Sequence, residues 1–249
     1  MKRSQLLVCQ NSTQLSQVMA EHLARQAILA IQKRGRFLVV LSGGNTPLES
    51  YRILAQEPLR QSIPWDHVHF FWGDERYVSY NDPQSNFGQA KRTFIDRLDV
   101  LHENLNPIPT NCPPEESAIA YNVLLLKYAL AGQKYALFDL VLFGLGNDGH
   151  IASLFPGQSA LWKEPVIPVQ ANYQGTPSTR ITMTPLALNY TREAIFIVSG
   201  NSKASALKAA LEFPADVNRF PSHAISPRKG KSVWMADSDA ASELSDGLV

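Results

Sequence analysis

The residues best suited to chemistry in this chain are Asp148 and His150, which lie on a glycine-rich turn after the apolar run that begins at Phe138. Three glycines within six positions let a backbone bend sharply and approach a ligand closely. An imidazole, with an ordinary pKa of ~6.5, can take a proton from water near neutral pH, and a carboxylate two residues away can orient it or bind a hydroxyl. The pattern predicts a buried strand, this turn, and a helix that starts at Ile151. A turn with no function is the alternative interpretation.

A second glycine-rich turn, residues 42–46, follows the apolar run Phe37 to Leu41. Thr46 is a typical N-cap and Pro47 a typical first helical residue, so we expect a helix to begin directly after the glycines. The unpaired N–H groups and the dipole of such a helix start favour an anion. This turn lacks the Gly-Lys-Ser/Thr ending of a P-loop. A capped turn that binds nothing fits the same residues.

Charged side chains follow two further predicted strands. The aromatic stretch from Trp65 to Trp72 ends in Gly-Asp-Glu-Arg, which predicts a turn carrying Asp74 and Arg76. The strand predicted over Ala194 to Ser199 is followed by Gly-Asn-Ser-Lys, which ends at Lys203. A solvated turn usually carries a single charged group, so the first of these clusters points to a site.

Four predicted strands therefore end in polar or glycine-rich turns, at positions 42, 73, 144 and 200. In a parallel sheet with right-handed crossovers all four turns lie at one edge, where open α/β sheets bind their ligands. We expect one crevice that collects Asn45, Thr46, Asp74, Arg76, Asp148, His150 and Lys203, with Arg180 as a further candidate cation.

The elements that must position this crevice alternate between strand and helix patterns. Further strands are predicted at Gln5 to Val8, Ile181 to Thr184 and Val233 to Met235. Helices are predicted from an N-cap at Ser12 or Thr13 to Gly35, and at Phe87 to Leu98, Glu115 to Leu130, after Pro185, and Ala204 to Leu211. This order is typical of an α/β protein with a parallel sheet.

The 249 residues are enough for one large α/β domain or two small ones. The stretch from Leu105 to Pro114, rich in Pro and Asn, fits a surface loop better than a linker. Residues 1–249 are therefore predicted to form one domain, with a short polar tail from about 238. An irregular segment is predicted before Pro177.

The bulk properties exclude several kinds of partner. A formal net charge of +1 provides no general field for nucleic acid or an anionic membrane. The apolar run near the amino terminus is too short for a signal peptide, and no stretch approaches the ~20 apolar residues of a membrane span. We expect a cytoplasmic protein that is a monomer or weak homo-oligomer and acts on a small molecule. The two cysteines, Cys9 and Cys112, match no zinc spacing, so neither a metal nor another cofactor is expected.

Two common mechanisms of hydrolysis have no support in the sequence. The sequence contains neither the Gly-x-Ser-x-Gly of an acyl-enzyme nor the His-Glu-x-x-His of a zinc hydrolase. The three candidate cations and the glycine-rich helix starts favour binding of a phosphate group on the substrate. Attack by water on an already reactive carbonyl, assisted by His150 as general base, is the simplest reaction left.

Four sequence blocks, SGGNTP, GDER with the downstream Asn86, GLGNDGHIASLFPG and SGNSKASAL, resemble the 6-phosphogluconolactonase family in type and order. The third block is the most specific, and the likeness covers most of the chain. The resemblance implies a Rossmann-like three-layer α/β/α fold with a mostly parallel sheet, shared with glucosamine-6-phosphate deaminases. It also implies hydrolysis of 6-phospho-D-glucono-1,5-lactone without a metal.

The resemblance implies roles for the site residues as well. His150 would activate water with Asp148 beside it, and Arg76, with Arg180 and Lys203, would hold the phosphate or the developing oxyanion. The residues that line the sugar-phosphate pocket or bind the substrate would be Ser42, Gly43, Gly44, Asn45, Thr46, Asp74 and Asn86. Asn45 stands where Ser is frequent in the family, and Ile151 where Thr is frequent. Both departures concern specificity more than the class of reaction.

Two other functions fit the same fold. A glucosamine-6-phosphate deaminase would carry an acidic residue shortly after the DGH block, where this chain has Ser153 to Pro156. A sugar-phosphate sensor of a transcription regulator would carry a helix-turn-helix and a basic patch, and the residues before Phe37 offer neither convincingly. Ammonia release would favour the first, and tight binding without turnover the second.

Overall fold

The structure is a computed structural model that describes residues 5–171 and 178–247. In this part of the chain the strands are β1 (Gln5–Cys9), β2 (Phe37–Leu41), β3 (Val68–Trp72), β4 (Asp74–Arg76), β5 (Leu105–Asn106), β6 (Leu140–Phe143), β7 (Val166–Gln170), β8 (Thr179–Met183), β9 (Glu193–Val198) and β10 (Lys231–Asp237). The helices are α1 (Ser12–Arg34), α2 (Asn45–Leu54), α3 (Leu59–Ser62), α4 (Asn86–Thr93), α5 (Pro114–Leu126), α6 (Pro185–Leu188) and α7 (Ala204–Glu212).

Seven strands form a sheet in the order β1-β10-β9-β6-β2-β3-β5, and all of its pairings are parallel. From β2 the chain continues outward to β3 and β5, whereas from β6 it continues to the other side through β9 and β10. The neighbouring strands β2 and β6 therefore flank the point where the strand order reverses, which is where such sheets bind ligands. The predicted parallel α/β fold is confirmed.

The central strands are covered on both faces. Every residue of β2, β6 and β9 is buried, as expected for parallel strands with helices on each side. Apart from Glu193 and Ala194 at the start of β9, these strands consist of Val, Leu, Ile and Phe, so apolar burial fixes them. Their polar carboxyl ends are thereby held at a rigid edge.

No helix in the described residues is both long and apolar enough to cross a bilayer.

Two helix starts differ from the prediction. Asn11, rather than Ser12 or Thr13, is the N-cap of α1, and its side chain accepts a hydrogen bond from the Gln14 backbone N–H at 2.9 Å. Thr46 is not an N-cap either, because α2 begins at Asn45 and is preceded by Gly44, with φ 99°. The positive φ of this glycine lets the chain enter the helix two residues earlier than predicted.

The helix predicted to start at Ile151, after the turn that carries Asp148 and His150, is wrong. Residues 151–154 form a tight turn in which the Leu154 N–H donates to the Ile151 carbonyl at 2.9 Å. Ala152 has φ 47°, a left-handed conformation that a helix does not contain. Ile151 and Leu154 are buried through this turn, so their spacing imitates a helical period.

A second sheet, in the order β4-β8-β7, was not predicted. The charged segment expected to be a turn is the strand β4, which pairs antiparallel with β8 so that Arg76 lies opposite Arg180. A three-residue strand of charged residues has no apolar alternation, so the sequence pattern could not reveal it. The pairing brings two candidate cations together.

The remaining boundaries differ modestly. Helix α5 ends at Leu126, four residues before the predicted end. Residues 238–247 form turns, in which Ala240 and Leu244 are buried against the core. Residues 172–177 of the predicted irregular segment lie outside the described residues.

Candidate active site

A cavity of about 340 Å³ opens at the carboxyl ends of β2, β6 and β9. It collects nearly all of the predicted site residues, namely Ser42, Gly43, Gly44, Asn45, Thr46, Asp74, Arg76, Asn86, His150, Arg180 and Lys203. Asp148 does not line the cavity but is hydrogen-bonded to His150. Turns far apart in the sequence thus meet at one edge of the sheet, and His150 shares a cavity with the glycine-rich turn at residues 42–46.

Some lining residues were not predicted. They are Pro47, Gly144, Leu145, Gly146, Ala152, Ile197, Val198 and Ser199. Most belong to strand ends or to turns that directly follow them, so the rule that identified the crevice could also have named Ser199 and Gly144. Ala152 enters the wall through the unpredicted tight turn.

The glycine-rich turn at residues 42–46 is held by the strand and helix around it. The Tyr51 hydroxyl donates to the Ser42 carbonyl at 3.0 Å, and the Ser42 hydroxyl oxygen accepts from the Gly144 N–H at 3.3 Å. Among the described residues, no side chain caps the start of α2. Because the first N–H groups of a helix lack partners within it, this start can offer them to an anion in the cavity.

His150 and Asp148 form a close pair. His150 Nδ1 lies 2.6 Å from Asp148 Oδ1, and the same oxygen accepts from the His150 backbone N–H at 3.1 Å. A carboxylate at Nδ1 keeps the proton on that nitrogen and leaves the lone pair on Nε2. Gly149, with φ 83°, closes the loop by donating to the Gly146 carbonyl at 3.0 Å. The loop therefore fixes both the tautomer and the position of a base.

Three cationic side chains, those of Arg76, Arg180 and Lys203, line the cavity. Arg76 and Arg180 lie opposite each other on β4 and β8, and the Arg76 Nη1 donates to the Gln84 carbonyl at 2.8 Å. Burial lowers the pKa of Lys203 from its usual value, while the negative charge of Asp148 opposes this effect. Positive charge is thus concentrated near the base, although the chain as a whole is almost neutral.

Asp74 connects three segments of the site. Its Oδ2 accepts from the Ser153 hydroxyl at 2.6 Å, and its Oδ1 accepts from Asn86 Nδ2 at 3.3 Å. The Asn86 amide also donates to the Asp74 carbonyl at 2.9 Å. Asp74 and Asn86, predicted to contact substrate, are therefore also structural partners. Ser153, which lies three residues after His150, was missed because its partner is distant in sequence.

Glu75 is fully buried behind the cavity. Its carboxylate accepts hydrogen bonds from the backbone N–H groups of Arg76, Asn86 and Phe87, at 2.8, 2.6 and 2.8 Å. It also accepts from the Ser85 hydroxyl at 3.1 Å. Burial raises its pKa to about 7, whereas these backbone donors act in the opposite direction. This carboxylate ties the strand that carries Arg76 to the start of α4.

The raised pKa of Glu75 predicts a pH-dependent stability. Because the folded-state pKa of about 7 exceeds the ordinary value of 4.5, its contribution is fully present below the ordinary pKa and is lost as the pH rises through 7. Between pH 4.5 and 8 the free energy of unfolding should fall, relative to Glu75→Gln, by up to about 3 kcal/mol. Urea unfolding of both proteins across this range measures the difference. A difference that is constant with pH would contradict the prediction.

The topology and the cavity place the chain in the class of α/β proteins whose ligand site lies at the switch point of a parallel sheet. Comparison with known proteins narrows this class. The chain belongs to the family of glucosamine-6-phosphate isomerases and 6-phosphogluconolactonases, whose family model matches residues 10–234.

Individual relatives agree with this assignment. A 6-phosphogluconolactonase of Synechocystis sp. is 40% identical over 217 residues, which cover 86% of this chain and 88% of that protein. The crystal structure of the 6-phosphogluconolactonase from Thermotoga maritima superposes with a TM-score of 0.82 and 26% identity, covering 94% of this chain and 100% of that one. A monomeric glucosamine-6-phosphate deaminase, at 24% identity and a TM-score of 0.82 over 96% and 99% of the two chains, shares the fold.

Proposed function

We propose that this chain hydrolyses 6-phospho-D-glucono-1,5-lactone to 6-phospho-D-gluconate, the second step of the oxidative pentose phosphate pathway. The observation that carries the proposal is the pairing of His150 with Asp148 at 2.6 Å, beside a cavity that is also lined by three cationic side chains. The names of the curated relatives support the same reaction. The chain is accordingly a carboxylic ester hydrolase that acts on a phosphorylated sugar.

The proposed reaction uses His150 twice. Its Nε2 takes a proton from water as the water oxygen bonds to the lactone carbonyl carbon, and the carbonyl electrons move to the oxygen. The tetrahedral intermediate then expels the ring oxygen, which receives the proton from the imidazolium. Asp148 holds Nδ1–H and stabilises the imidazolium throughout. Arg76, Arg180 and Lys203 supply positive charge for the oxyanion and the phosphate.

The reaction demands only a moderate rate enhancement. A six-membered lactone holds its ester in the strained E geometry, which makes the carbonyl reactive. The lactone therefore hydrolyses slowly even without an enzyme, and a covalent nucleophile is unnecessary. A positioned base contributes ~10²–10⁴-fold, and stabilisation of the oxyanion adds ~10²–10³-fold. Both contributions can be supplied by the groups around this cavity.

The deaminase alternative is less well supported. That reaction needs a further acid or base for proton transfer between two carbons, and the resemblance places it shortly after the DGH block. There the chain has Ser153, whose hydroxyl is hydrogen-bonded to Asp74, and the buried ring of Phe155. Neither side chain can serve as that carboxylate.

A coupled assay tests the proposal. Freshly generated 6-phosphogluconolactone is supplied to the protein, and the product is oxidised by excess 6-phosphogluconate dehydrogenase while NADPH absorbance is followed. We expect a rate that is proportional to the protein concentration after the spontaneous rate is subtracted. A rate equal to the spontaneous one, or ammonia release from glucosamine 6-phosphate, would refute the lactonase assignment.

The phosphate role of Arg76 can be tested separately. We expect Arg76→Ala to lower kcat/KM for the phosphorylated lactone by about 10- to 100-fold, because hydrogen bonds to charged groups are worth about 1.5–3 kcal/mol. Hydrolysis of unphosphorylated glucono-1,5-lactone should change much less. Arg52→Ala, at an exposed ion pair with Glu49, is the matched control. Equal losses on the two lactones would mean that Arg76 acts on the oxyanion instead.

A further inference from the structure

Asn86, the first residue of α4, brings a buried hydrogen-bond acceptor to the active-site cavity. The residue lines the cavity, and only 3% of its surface is exposed. Its Nδ2 atom donates to the backbone carbonyl and to the Oδ1 atom of Asp74, at 2.9 and 3.3 Å. No donor among the described residues reaches the Asn86 Oδ1 atom. Because a buried acceptor without a donor costs free energy, this oxygen requires an explanation.

The neighbours of this amide fix its orientation. Both atoms that face it from Asp74 are oxygens that accept hydrogen bonds, so only the NH₂ end of the amide can point towards them. The Ser153 hydroxyl donates to the other carboxylate oxygen of Asp74 at 2.6 Å and holds this carboxylate in turn. The Asn86 Oδ1 atom is therefore a fixed acceptor that points away from Asp74.

Gly43 provides the space that this oxygen occupies. A Cβ atom on residue 43 would lie 1.9 Å from Oδ1 and 2.6 Å from Cγ of Asn86, so any other residue type would displace the amide. The φ of Gly43 is not positive, unlike that of Gly44, so the backbone conformation does not require a glycine here. The close approach of the amide does. The Oδ1 atom thus lies against the glycine-rich turn at residues 42–46, which also lines the cavity.

A second buried asparagine shows the same amide with every group paired. Asn106 Nδ2 donates to the carbonyls of Phe70 and Asn104, at 3.2 and 3.0 Å. Its Oδ1 atom accepts from the Tyr128 hydroxyl at 3.1 Å, and the residue does not line the cavity. The two amides donate in the same way and differ in the oxygen. At the cavity, the oxygen is left for a ligand.

We infer that Asn86 Oδ1 accepts a hydrogen bond from a ring hydroxyl of the substrate and makes the enzyme selective for sugars that carry this hydroxyl. An amide oxygen cannot donate to the oxygens of an ionised phosphate, so this part of the wall takes a neutral donor, while the cationic side chains take the phosphate. The inference rests on the proposed function for the identity of the sugar. The ring of that lactone carries free hydroxyls at C2, C3 and C4.

The 2-, 3- and 4-deoxy derivatives of the phosphorylated lactone test the inference. Acid release, followed with a pH indicator, gives kcat/KM without a coupling enzyme that would have to accept each product. For the wild type we expect one deoxy lactone to lose about 10- to 100-fold relative to the parent lactone, since it leaves the buried oxygen unpaired. In Asn86→Ala the ratio between these two lactones should shrink to within about twofold.

The ratio of kcat/KM between lactones separates the hydrogen bond from a structural effect. A disturbance of Asp74 in Asn86→Ala would lower the rates with all the lactones alike. Asn106→Ala removes a buried amide of the same kind outside the cavity, and this matched control should keep the wild-type ratio. Gly43→Ala keeps the asparagine but displaces its oxygen, so it should also reduce the ratio and provides the test if Asn86→Ala does not fold.

The inference and the proposed function fail in different ways. Turnover of the parent lactone with no deoxy lactone impaired by more than about twofold would overturn the inference alone. So would a wild-type ratio that survives in both Asn86→Ala and Gly43→Ala. Absence of turnover would refute the proposed function instead. Calorimetric titration with 6-phosphogluconate and its deoxy derivatives then gives the same ratio from binding, and an unchanged ratio in Asn86→Ala would overturn the inference.

Discussion

Replacement of His150 by alanine should lower the catalysed rate of lactone hydrolysis by about 10²–10⁴-fold, the usual contribution of a positioned general base. The imidazole can take the proton from water, because the 2.6 Å contact of Nδ1 with Asp148 places the lone pair on Nε2. Binding of 6-phosphogluconate should remain measurable, because the cations and the start of α2 are unchanged. The loss should therefore appear in kcat more than in KM.

The measurement is the coupled assay, combined with calorimetric titration of 6-phosphogluconate. His67→Ala is a matched control, since this exposed histidine is hydrogen-bonded to the Gly35 carbonyl outside the cavity. Added imidazole should restore part of the activity of the His150→Ala protein by occupying the space of the lost ring. Full activity without any histidine at position 150 would remove this residue from the mechanism.

The predictable part of this protein is the part that follows from local burial. Strands such as β2 and β6 are continuous apolar runs, and the polar turn after each is visible because apolar residues stop there. Parallel topology then places these turns at one edge. The collection of the predicted residues around one cavity follows from this rule.

The unpredicted part depends on contacts between distant segments. Strand β4 exists because it pairs with β8, about a hundred residues later, and its charged residues give no strand pattern. The tight turn at Ala152 is accompanied by the hydrogen bond from Ser153 to Asp74, a contact that no periodicity encodes. Errors in the sequence interpretation thus concentrate where the site is built.

Gly146 shows how such local geometry can be tested without removing a functional group. A Cβ atom at this position would lie 2.0 Å from His150 Nδ1 and 2.6 Å from Asp148 Oδ1, well inside contact distance. We therefore expect Gly146→Ala to push the imidazole away from its carboxylate while both residues remain present. Because a base displaced by about 1 Å can cost 10²-fold, kcat should fall by about that factor or more.

The effect of Gly146→Ala on stability should be small by comparison, because the atoms that must move are side-chain ends in a partly exposed loop. Gly73→Ala is a matched control near the site, since its Cβ would meet Val40 and the Leu41 carbonyl at ordinary distances of 3.6 and 3.7 Å. Thermal unfolding and the coupled assay should separate the two variants by activity alone. If Gly146→Ala retains wild-type kcat, the hydrogen bond between His150 and Asp148 does not set the rate. The imidazole could then act from a position that excludes this hydrogen bond.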